Sequence, residues 1–358
     1  MEIRRFFLGI TTHCNMACSY CFVKDTNEFM KLAEAERYLR FFLRSAGKEK
    51  LLYLYGGEPL IYFDFIQKII PFFYQQAKKF NKIPSVIIVT NGTIFYKKIS
   101  NLIKKYQIKV MVSLSGQEKS HNLFRPLKNG QGSFALIKKN LKEFFKIVPK
   151  EDLWVSYTLH PKMLKNFQLD LLYLIKLGFE NIHIEPVQYT PEVYWTNSQL
   201  NKFKQGVNYL FNYLKKNIAK NRLLFNSKAI RDLEILLGLA PKDNFSYSLY
   251  NNLRVWLGSK LTFSHFAANL GKKQPSKRKL FQKGFLDFGE KFGQKELKKI
   301  FRSSIEMDSR EPDYFKAGQK VWSIYDQACR DLAQRVILKS QKNKSYKRYI
   351  QEALERAI

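Results

Sequence analysis

The segment F-F-L-G-I-T-T-H-C-N-M-A-C-S-Y-C-F, residues 6–22, joins a short apolar run to three closely spaced cysteines. The run Phe6–Thr11 predicts a β-strand, because its apolar residues stop at the polar sequence T-T-H. The cysteines follow this strand directly, in a predicted loop. In folds built from parallel strands, functional groups lie at the carboxyl ends of those strands. The segment therefore predicts a functional site at the end of the first strand.

Outward from this segment, short apolar runs alternate with amphipathic stretches. The predicted strands are Phe6–Thr11, Leu51–Tyr55, Ser85–Thr90, Lys109–Ser115, Leu153–Leu159 and Asn181–Glu185. The predicted helices between them are Glu28–Ala46, Asp64–Phe80 with Asp64 as its N-cap, Ile94–Tyr106, Ser133–Ile147 and Met163–Leu177. This alternation predicts an α/β fold with a parallel sheet, arranged as a partial (β/α)6 barrel of the TIM-like kind.

From about residue 195 onward the alternation stops and helical spacing dominates. The helices predicted there are Ser198–Lys220, Ala229–Leu239, Ser323–Arg335 and Ser345–Ala357, whereas residues 240–320 carry no assignable pattern. We therefore expect two domains, with a core at residues 1–190 and a mainly α-helical C-terminal region at residues 191–358. The second would bind or cap the substrate.

Composition excludes several classes of protein. A hydrophobic share of 45% excludes a disordered chain, and four cysteines are too few for a disulfide scaffold. The formal net charge of +32 suits nucleic acid, an acidic membrane or an acidic protein, or simply a solvated lysine-rich surface. No apolar run reaches the ~20 residues of a membrane span, and F-F-L-G-I is too short for a signal peptide. We expect a cytoplasmic protein with reduced thiols.

Cys14, Cys18 and Cys21 are spaced C-x3-C-x2-C. Three thiolates on one loop can hold three irons of a [4Fe–4S] cluster and leave the fourth iron open to a ligand. An amino–carboxylate pair, such as that of S-adenosylmethionine (SAM), can chelate an open iron. The alternative is a zinc site completed by His13, although adjacent residues rarely ligate one ion well.

The spacing of the cysteines, with Tyr20 before the last one, resembles the signature of radical SAM enzymes, and the resemblance continues through residues 6–188. The further matching motifs are Y-G-G-E-P-L at 55–60, T-N-G-T at 90–93, S-L-S-G at 113–116 and H-N-L-F-R-P-L-K-N-G-Q-G-S-F at 121–134. The last is similar to a stretch typical of the peptide-modifying branch, including anaerobic sulfatase-maturating enzymes. One departure is Ser115, where the common motif has aspartate, and it puts any role of that acid in doubt.

The resemblance implies a radical SAM core at residues 1–190 that uses a [4Fe–4S] cluster and SAM. It assigns the cluster to Cys14, Cys18 and Cys21, the adenine to Tyr20 and Val187, the methionine amino group to Gly56, Gly57 and Glu58, the ribose or carboxylate to Ser113, and the methionine carboxylate to Arg125. The implied reaction is reductive cleavage of SAM to a 5′-deoxyadenosyl radical, which abstracts hydrogen from a peptide or protein substrate. The implied electron donor is a flavodoxin or a ferredoxin, both acidic proteins that a basic face would attract.

Cys329 is the only cysteine after Cys21, so we expect no auxiliary cluster in the C-terminal half. It is either a small buried residue of a helix or, as in peptide epimerases of the family, a hydrogen-atom donor to the substrate radical. Asp25 and Glu185 are possible pocket acids, and His160 could face the cavity. The histidines at 121, 183 and 265 are expected to be structural or exposed.

Two other functions stay open at this point. The charge, together with interleaved aromatic and basic residues at 253–302, would suit radical SAM chemistry on RNA. A non-catalytic basic protein that binds nucleic acid and holds a structural zinc is the second alternative. The longer match over residues 113–134 favours the peptide or protein substrate.

Overall fold

The structure is a computed structural model that describes residues 3–21, 23, 25–187, 193, 195–220, 225–226, 229–230, 252–256, 260–262, 286–287 and 313–355. Its contacts group the chain into two units. The first unit comprises residues 1–110, 126–131 and 243–311, and the second comprises residues 111–125, 132–242 and 312–358. The predicted domain boundary at residue 190 stays a prediction.

The first unit contains strands and helices that alternate along the chain. They are β1 (Arg5–Thr11), α1 (Leu32–Arg44), β2 (Glu49–Gly56), α2 (Phe63–Lys79), β3 (Ile83–Thr90) and α3 (Lys97–Tyr106), followed much later by the short strands β8 (Asn252–Trp256), β9 (Lys260–Thr262) and β10 (Leu286–Asp287). Strand β1 pairs in parallel with β2 on one side and with β8 on the other, and β2 pairs in parallel with β3. β9 lies antiparallel to both β8 and β10.

Burial explains why these segments form a sheet covered by helices. Six of the seven residues of β1 are buried, as expected for a parallel strand that is covered on both faces. Phe6 of β1 stacks on Phe42 of α1 with ring centroids 5.0 Å apart, and Phe42 in turn lies 6.1 Å from Phe73 of α2. The apolar faces of α1 and α2 therefore supply the core on this side of the sheet.

The second unit continues the alternation and ends in helices. The chain passes into it through β4 (Lys109–Ser113) and continues with α4 (Glu118–Asn122), α5 (Phe134–Ile147), β5 (Leu153–Leu159), α6 (Phe167–Lys176), β6 (Asn181–Pro186), α7 (Asn197–Ala219), β7 (Phe225–Asn226), α8 (Asp313–Ser340) and α9 (Lys344–Glu355). β6 pairs in parallel with β5 and with β7. Just after β4, the Leu114 N–H donates to the Ser156 carbonyl of β5 over 3.1 Å. The predicted α/β fold of parallel strands with a helical C-terminal region is confirmed.

The C-terminal helices hold together through aromatic contacts. Phe211 of α7 stacks on Tyr325 of α8 at 6.4 Å, and Phe225 of β7 stacks on Tyr349 of α9 at 4.9 Å. The predicted helix Ser323–Arg335 lies inside α8, and most of the predicted helix Ala229–Leu239 lies outside the described residues. In the part of the chain that the structure describes, no helix is both long and apolar enough to cross a membrane.

Four predicted helix starts are wrong. Helix α3 begins at Lys97 rather than Ile94, and α6 begins at Phe167 rather than Met163, after a 3-10 turn at Pro161–Asn166. The other two starts differ for reasons of tertiary contact. Helix α1 begins at Leu32 rather than Glu28, because the preceding residues lie along β1: the Thr12 N–H donates to the Glu28 carbonyl and the Met30 N–H to the Ile10 carbonyl. Asp64 is not an N-cap. It lies in the first turn of α2, and the chain enters that helix from a 3-10 turn, Pro59–Tyr62, which the Glu58 side chain caps.

Candidate functional site

The predicted cluster ligands lie in one loop after β1, which we call the cysteine loop (residues 12–21). Cys14 and Cys18 are half-buried and Cys21 is exposed, and the Cys21 N–H donates to the Cys18 carbonyl at 3.0 Å. The Cys14 Sγ accepts the Met16 N–H at 3.4 Å. Burial raises the pKa of the Cys14 thiol to about 12 in the metal-free chain. A bound cation reverses this effect, because a coordinated thiol is deprotonated.

The end of β2 packs directly against the cysteine loop. The Gly57 N–H donates to the Thr11 carbonyl at 2.7 Å, and the Glu58 N–H donates to the His13 carbonyl at 2.8 Å. A Cβ at Gly56 or at Gly57 would lie 2.2 Å from a backbone oxygen, that of Thr11 or of His13 respectively. Gly56 therefore has to be glycine for its contact with the end of β1, and Gly57 has to be glycine for its contact with the cysteine loop. Their predicted contact with the methionine amino group stays a prediction.

Glu58 is fully buried and joins the ends of β2 and β3. One carboxylate oxygen accepts from the Leu60 N–H at 2.9 Å and the Thr90 hydroxyl at 2.8 Å, and the other accepts from the Asn91 N–H at 2.6 Å. Burial raises the pKa of this carboxyl to about 7, against the effect of the three donors. In the described structure Glu58 is a bracing residue beneath the cysteine loop.

The T-N-G-T motif after β3 supports the loop through its side chains. The Asn91 Nδ2 donates to the Asn15 Oδ1 at 2.9 Å and lies 3.7 Å from the Cys14 Sγ, and the Asn15 Nδ2 donates to the Thr93 Oγ1 at 2.8 Å. The sequence analysis placed this motif at the end of a strand and predicted no role for its side chains. Its position after β3 is the signal that could have identified Asn91 as a neighbour of Cys14.

A second segment, residues 126–131, crosses the cysteine loop, and we call it the strap. The Ala17 N–H donates to the Pro126 carbonyl at 2.9 Å, and the Lys128 N–H donates to the Asn15 carbonyl at 3.1 Å. Met16 and Leu127 form an antiparallel bridge between these bonds. Part of the motif at 121–134 therefore acts as a backbone partner of the cysteine loop.

Arg125 belongs to the second unit and is buried. Its Nε donates to the Ser115 Oγ and its Nη2 to the Thr158 Oγ1, both at 3.1 Å. These hydroxyls orient the guanidinium without neutralising its charge, which suits a carboxylate ligand. Ser115, the departure from the common motif, is thus a neutral partner of the arginine. Ser113 is half-buried at the end of β4 in the same unit.

The histidines of the second unit have structural contacts. His121 is fully buried; its Nδ1 accepts the Ser115 N–H at 3.1 Å, so its other nitrogen donates to the Ser133 Oγ at 2.9 Å. Burial, followed by the nearby charge of Arg125, lowers the pKa of His121 well below its usual value. His160 stacks on Phe124 with ring centroids 4.2 Å apart, and His183 lies 3.7 Å from Glu185. His265 lies outside the described residues.

Of the remaining predicted site residues, Val187 and Cys329 are buried and Tyr20 is half-buried. Val187 is buried, and its N–H donates to the Leu159 carbonyl at 2.8 Å. Tyr20 is half-buried in the cysteine loop. Cys329 is fully buried on the face of α8 that also carries Tyr325 and Leu332. This placement supports the packing role of Cys329, and its role as a hydrogen-atom donor stays a prediction.

The predicted zinc alternative needs His13 to join the thiols. Instead, the His13 Nδ1 lies 3.4 Å from the Asp25 Oδ1. Among the described residues, no group of three or more His, Cys, Asp or Glu side chains could hold a single metal ion. A cubane cluster makes a different demand, because each thiolate contacts a different iron and the three sulfurs need not converge. The His13 ring is thus directed to Asp25, which does not favour a zinc site completed by His13.

A cavity of about 640 Å³ lies elsewhere in the first unit. It is lined by Ile61, Tyr62, Phe63, Asp64, Phe95, Tyr96, Lys97 and Lys98. None of these is a predicted site residue, so the cavity does not define the site.

Comparison with known proteins agrees with this geometry. Residues 8–166 match the model of the Radical SAM superfamily, and this part of the chain is a radical SAM domain. An uncharacterized protein of Methanocaldococcus jannaschii is 32% identical over 132 residues, which cover 37% of this chain and 45% of that protein. The cysteine-type anaerobic sulfatase-maturating enzyme of Clostridium novyi is 30% identical over 144 residues, which cover 37% of each chain. The chain thus spans less than half the length of these relatives.

Solved structures show the same fold. A histidine-tagged form of anSMEcpe with bound AdoMet matches with a TM-score of 0.74 at 14% identity, over 99% of each chain. Streptococcus suis SuiB bound to the precursor peptide SuiA matches with a TM-score of 0.55 at 16% identity, over 76% of this chain and 61% of that one. At these identities the likeness is evidence for the fold alone. It confirms the partial barrel expected from the alternation of strands and helices.

Proposed function

We propose that this chain is a radical SAM enzyme that modifies a peptide or protein. The observation that carries the proposal is the cysteine loop inside the matched domain, which is held by glycine contacts from β2, by Asn91 after β3 and by the strap. Such support keeps three thiols on one short loop in a fixed backbone conformation. Preorganised ligands are what a cluster with one open iron requires.

In this proposal Cys14, Cys18 and Cys21 hold a [4Fe–4S] cluster, which supplies one electron to split SAM when both are bound. The role of the chain's own residues is to bind SAM and to orient it. The guanidinium of Arg125, held by two neutral hydroxyls, offers paired N–H donors to the methionine carboxylate. Ser113, Tyr20 and Val187 would contact the ribose and adenine, and Gly56, Gly57 and Glu58 would lie near the methionine amino group.

The peptide or protein substrate is supported by the kind of relative that the chain resembles. One relative is a sulfatase-maturating enzyme, and one structure with the same fold holds a precursor peptide. The alternative of RNA rests on the +32 charge. Retention of single-stranded RNA that weakens steeply with salt would support RNA, whereas no retention at low salt would exclude it.

The electron donor in this proposal is an acidic flavodoxin or ferredoxin. The excess of 62 Lys and Arg over 30 Asp and Glu would steer such a protein towards the chain. Reduction of the enzyme should then slow as ionic strength rises. A reduction rate indifferent to salt would argue against electrostatic steering.

The decisive experiment is anaerobic reconstitution with iron and sulfide, followed by dithionite and SAM. We expect a brown protein that produces 5′-deoxyadenosine. Cys18→Ala should abolish the product, because two thiolates leave two irons without a protein ligand. Cys329→Ala is the matched control, since that thiol is remote in sequence and buried in α8, and it should still cleave SAM. Zinc without iron in wild-type protein purified under anaerobic conditions would refute the proposal.

A further inference from the structure

Asp25 lies at the far end of the cysteine region and carries four contacts within the first unit. Its Oδ2 accepts the Cys14 N–H at 3.3 Å and lies 2.5 Å from the Lys128 Nζ. Its Oδ1 accepts the Asn27 N–H at 3.0 Å and lies 3.4 Å from the His13 Nδ1. One carboxylate thus joins the first cysteine ligand to the strap.

We propose that Asp25 and Lys128 form a positioning ion pair that fastens the strap to the cysteine loop and sets the reduction potential of the cluster through two opposite charges. The inference deepens the proposed function and rests on it. Neither residue would touch the cluster as a ligand. Each would act through Cys14, whose backbone N–H is bound by the carboxylate.

The exposure of the pair indicates what it does. The side chains of Asp25 and Lys128 are 28% and 47% exposed, and ion pairs this accessible to water contribute little to global stability. Their value lies in local geometry: the ion pair adds a side-chain link to the two backbone hydrogen bonds that join the strap to residues 15 and 17. The pair therefore restrains the loop between its first and second cysteines.

The charges also bear on the cluster. The potential of an iron–sulfur cluster depends on nearby net charge and on hydrogen bonds to its sulfurs. Asp25 places a negative charge next to the backbone of Cys14. It also accepts the Cys14 N–H, so this N–H is directed to a carboxylate oxygen rather than to a sulfur of the cluster. Both effects favour the oxidised cluster and lower its potential. Lys128 compensates part of that charge at 2.5 Å.

The test is a redox titration of the reconstituted holoenzyme, followed by electron paramagnetic resonance of the reduced cluster. Asp25→Asn removes the charge and keeps a side-chain oxygen, so the potential should become less negative. Lys128→Met leaves the carboxylate uncompensated, so the potential should become more negative. The double variant should return towards the wild-type value, and Lys128→Arg, which keeps the charge, should match wild type.

Glu143→Gln and Lys146→Met are the matched controls, because these residues form an exposed ion pair with an N–O distance of 2.8 Å in the second unit. They should leave the potential unchanged. Shifts of the same sign in Asp25→Asn and Lys128→Met would overturn the inference. So would reduced iron loading with an unchanged potential in the clusters that do form, since that pattern indicates a purely structural role.

The two proposals fail differently. Wild-type protein that takes up no [4Fe–4S] cluster, or makes no 5′-deoxyadenosine, refutes the proposed function and this inference with it. Wild-type protein that does both, with variants whose potentials equal that of wild type, refutes only this inference. Because Lys128 is half exposed, Lys128→Met is expected to fold and therefore to give a clear result even if Asp25→Asn does not load.

Discussion

Gly57 is the position where one methyl group tests the packing of the cysteine loop most directly. An alanine Cβ there would lie 2.2 Å from the His13 carbonyl oxygen and 2.6 Å from the Thr12 carbonyl oxygen. Both are backbone atoms, so rotation of a side chain cannot relieve the overlap. Heavy atoms in favourable contact are about 3.5 Å apart, so the loop must move by about 1 Å. Gly57 has no positive φ, so the effect is steric rather than conformational.

The displacement should lower the reaction rate strongly and the melting temperature only modestly. Overpacking of this kind typically destabilises by about 1–3 kcal/mol. Because the unfolding entropy grows with chain length, that loss lowers the melting temperature of a protein of this size by roughly 1–4 °C. A shift of about 1 Å in a catalytic arrangement can lower the rate about 100-fold. Gly57→Ala should therefore form less cluster, and what it forms should make 5′-deoxyadenosine about 100-fold more slowly.

The assay measures thermal unfolding, iron and sulfide per chain after reconstitution, and 5′-deoxyadenosine per iron. Gly206→Ala is the matched control: its Cβ would lie 2.2 Å from a ring carbon of Phe167 in the second unit. It should lower the melting temperature without changing the product formed per iron. Gly57→Ala protein with the iron content and rate of wild type would refute the reasoning, because the loop would then tolerate the displacement.

Three further predictions concern different parts of the molecule. Arg125→Met should weaken SAM binding to the reconstituted protein by about 10–100-fold, because a charge-assisted hydrogen bond contributes about 1.5–3 kcal/mol. The iron content should stay unchanged. An equilibrium binding measurement that gives the variant the same SAM affinity as wild type would contradict the role of Arg125. Lys50→Met should lower the melting temperature by several degrees in thermal unfolding, because the buried Lys50 Nζ donates to the Ile3 and Ala46 carbonyls at 2.8 and 2.7 Å at the amino end of β2. The amount of product per iron should stay unchanged. An unaltered melting temperature would count against a stabilising role of Lys50. Asp170 is fully buried, and burial raises its pKa from 3.8 to about 6 despite donors such as the Gln117 N–H. Its contribution to the free energy of unfolding is therefore complete below pH 4 and is lost as pH rises through 6. Urea unfolding at several pH values should show a loss of about 1–3 kcal/mol that Asp170→Asn abolishes, and the same dependence of stability on pH in both proteins would exclude Asp170 as its cause.

Much of the fold was predictable because burial leaves a local trace. Parallel strands such as β1 are apolar on both faces, and the helices between them repeat their apolar residues at helical spacing. The start of α1 was missed because no local pattern of apolar residues indicates that residues 26–30 form backbone hydrogen bonds along β1. The N-cap of α2 was missed because the Glu58 side chain caps a 3-10 turn just before the helix.

The candidate site was predictable in its ligands and not in its supports. The cysteine spacing is short and local, so Cys14, Cys18 and Cys21 could be read directly. Asn91 lies 77 residues from Cys14 along the chain, and its contact depends on which strand lies beside which. The motif at 121–134 could be matched by its letters, but its function as a strap over the loop could not.

The sequence by itself determined the alternation of strands and helices, the three cysteines and the basic character of the chain, since each is encoded within a few neighbouring residues. Tertiary structure alone decided that Gly57 contacts the cysteine loop, that Glu58 is a buried brace and that Asp25 meets Lys128. The physical reason is that hydrophobic periodicity encodes which face of an element is buried, whereas contacts between distant residues depend on the order and register of strands.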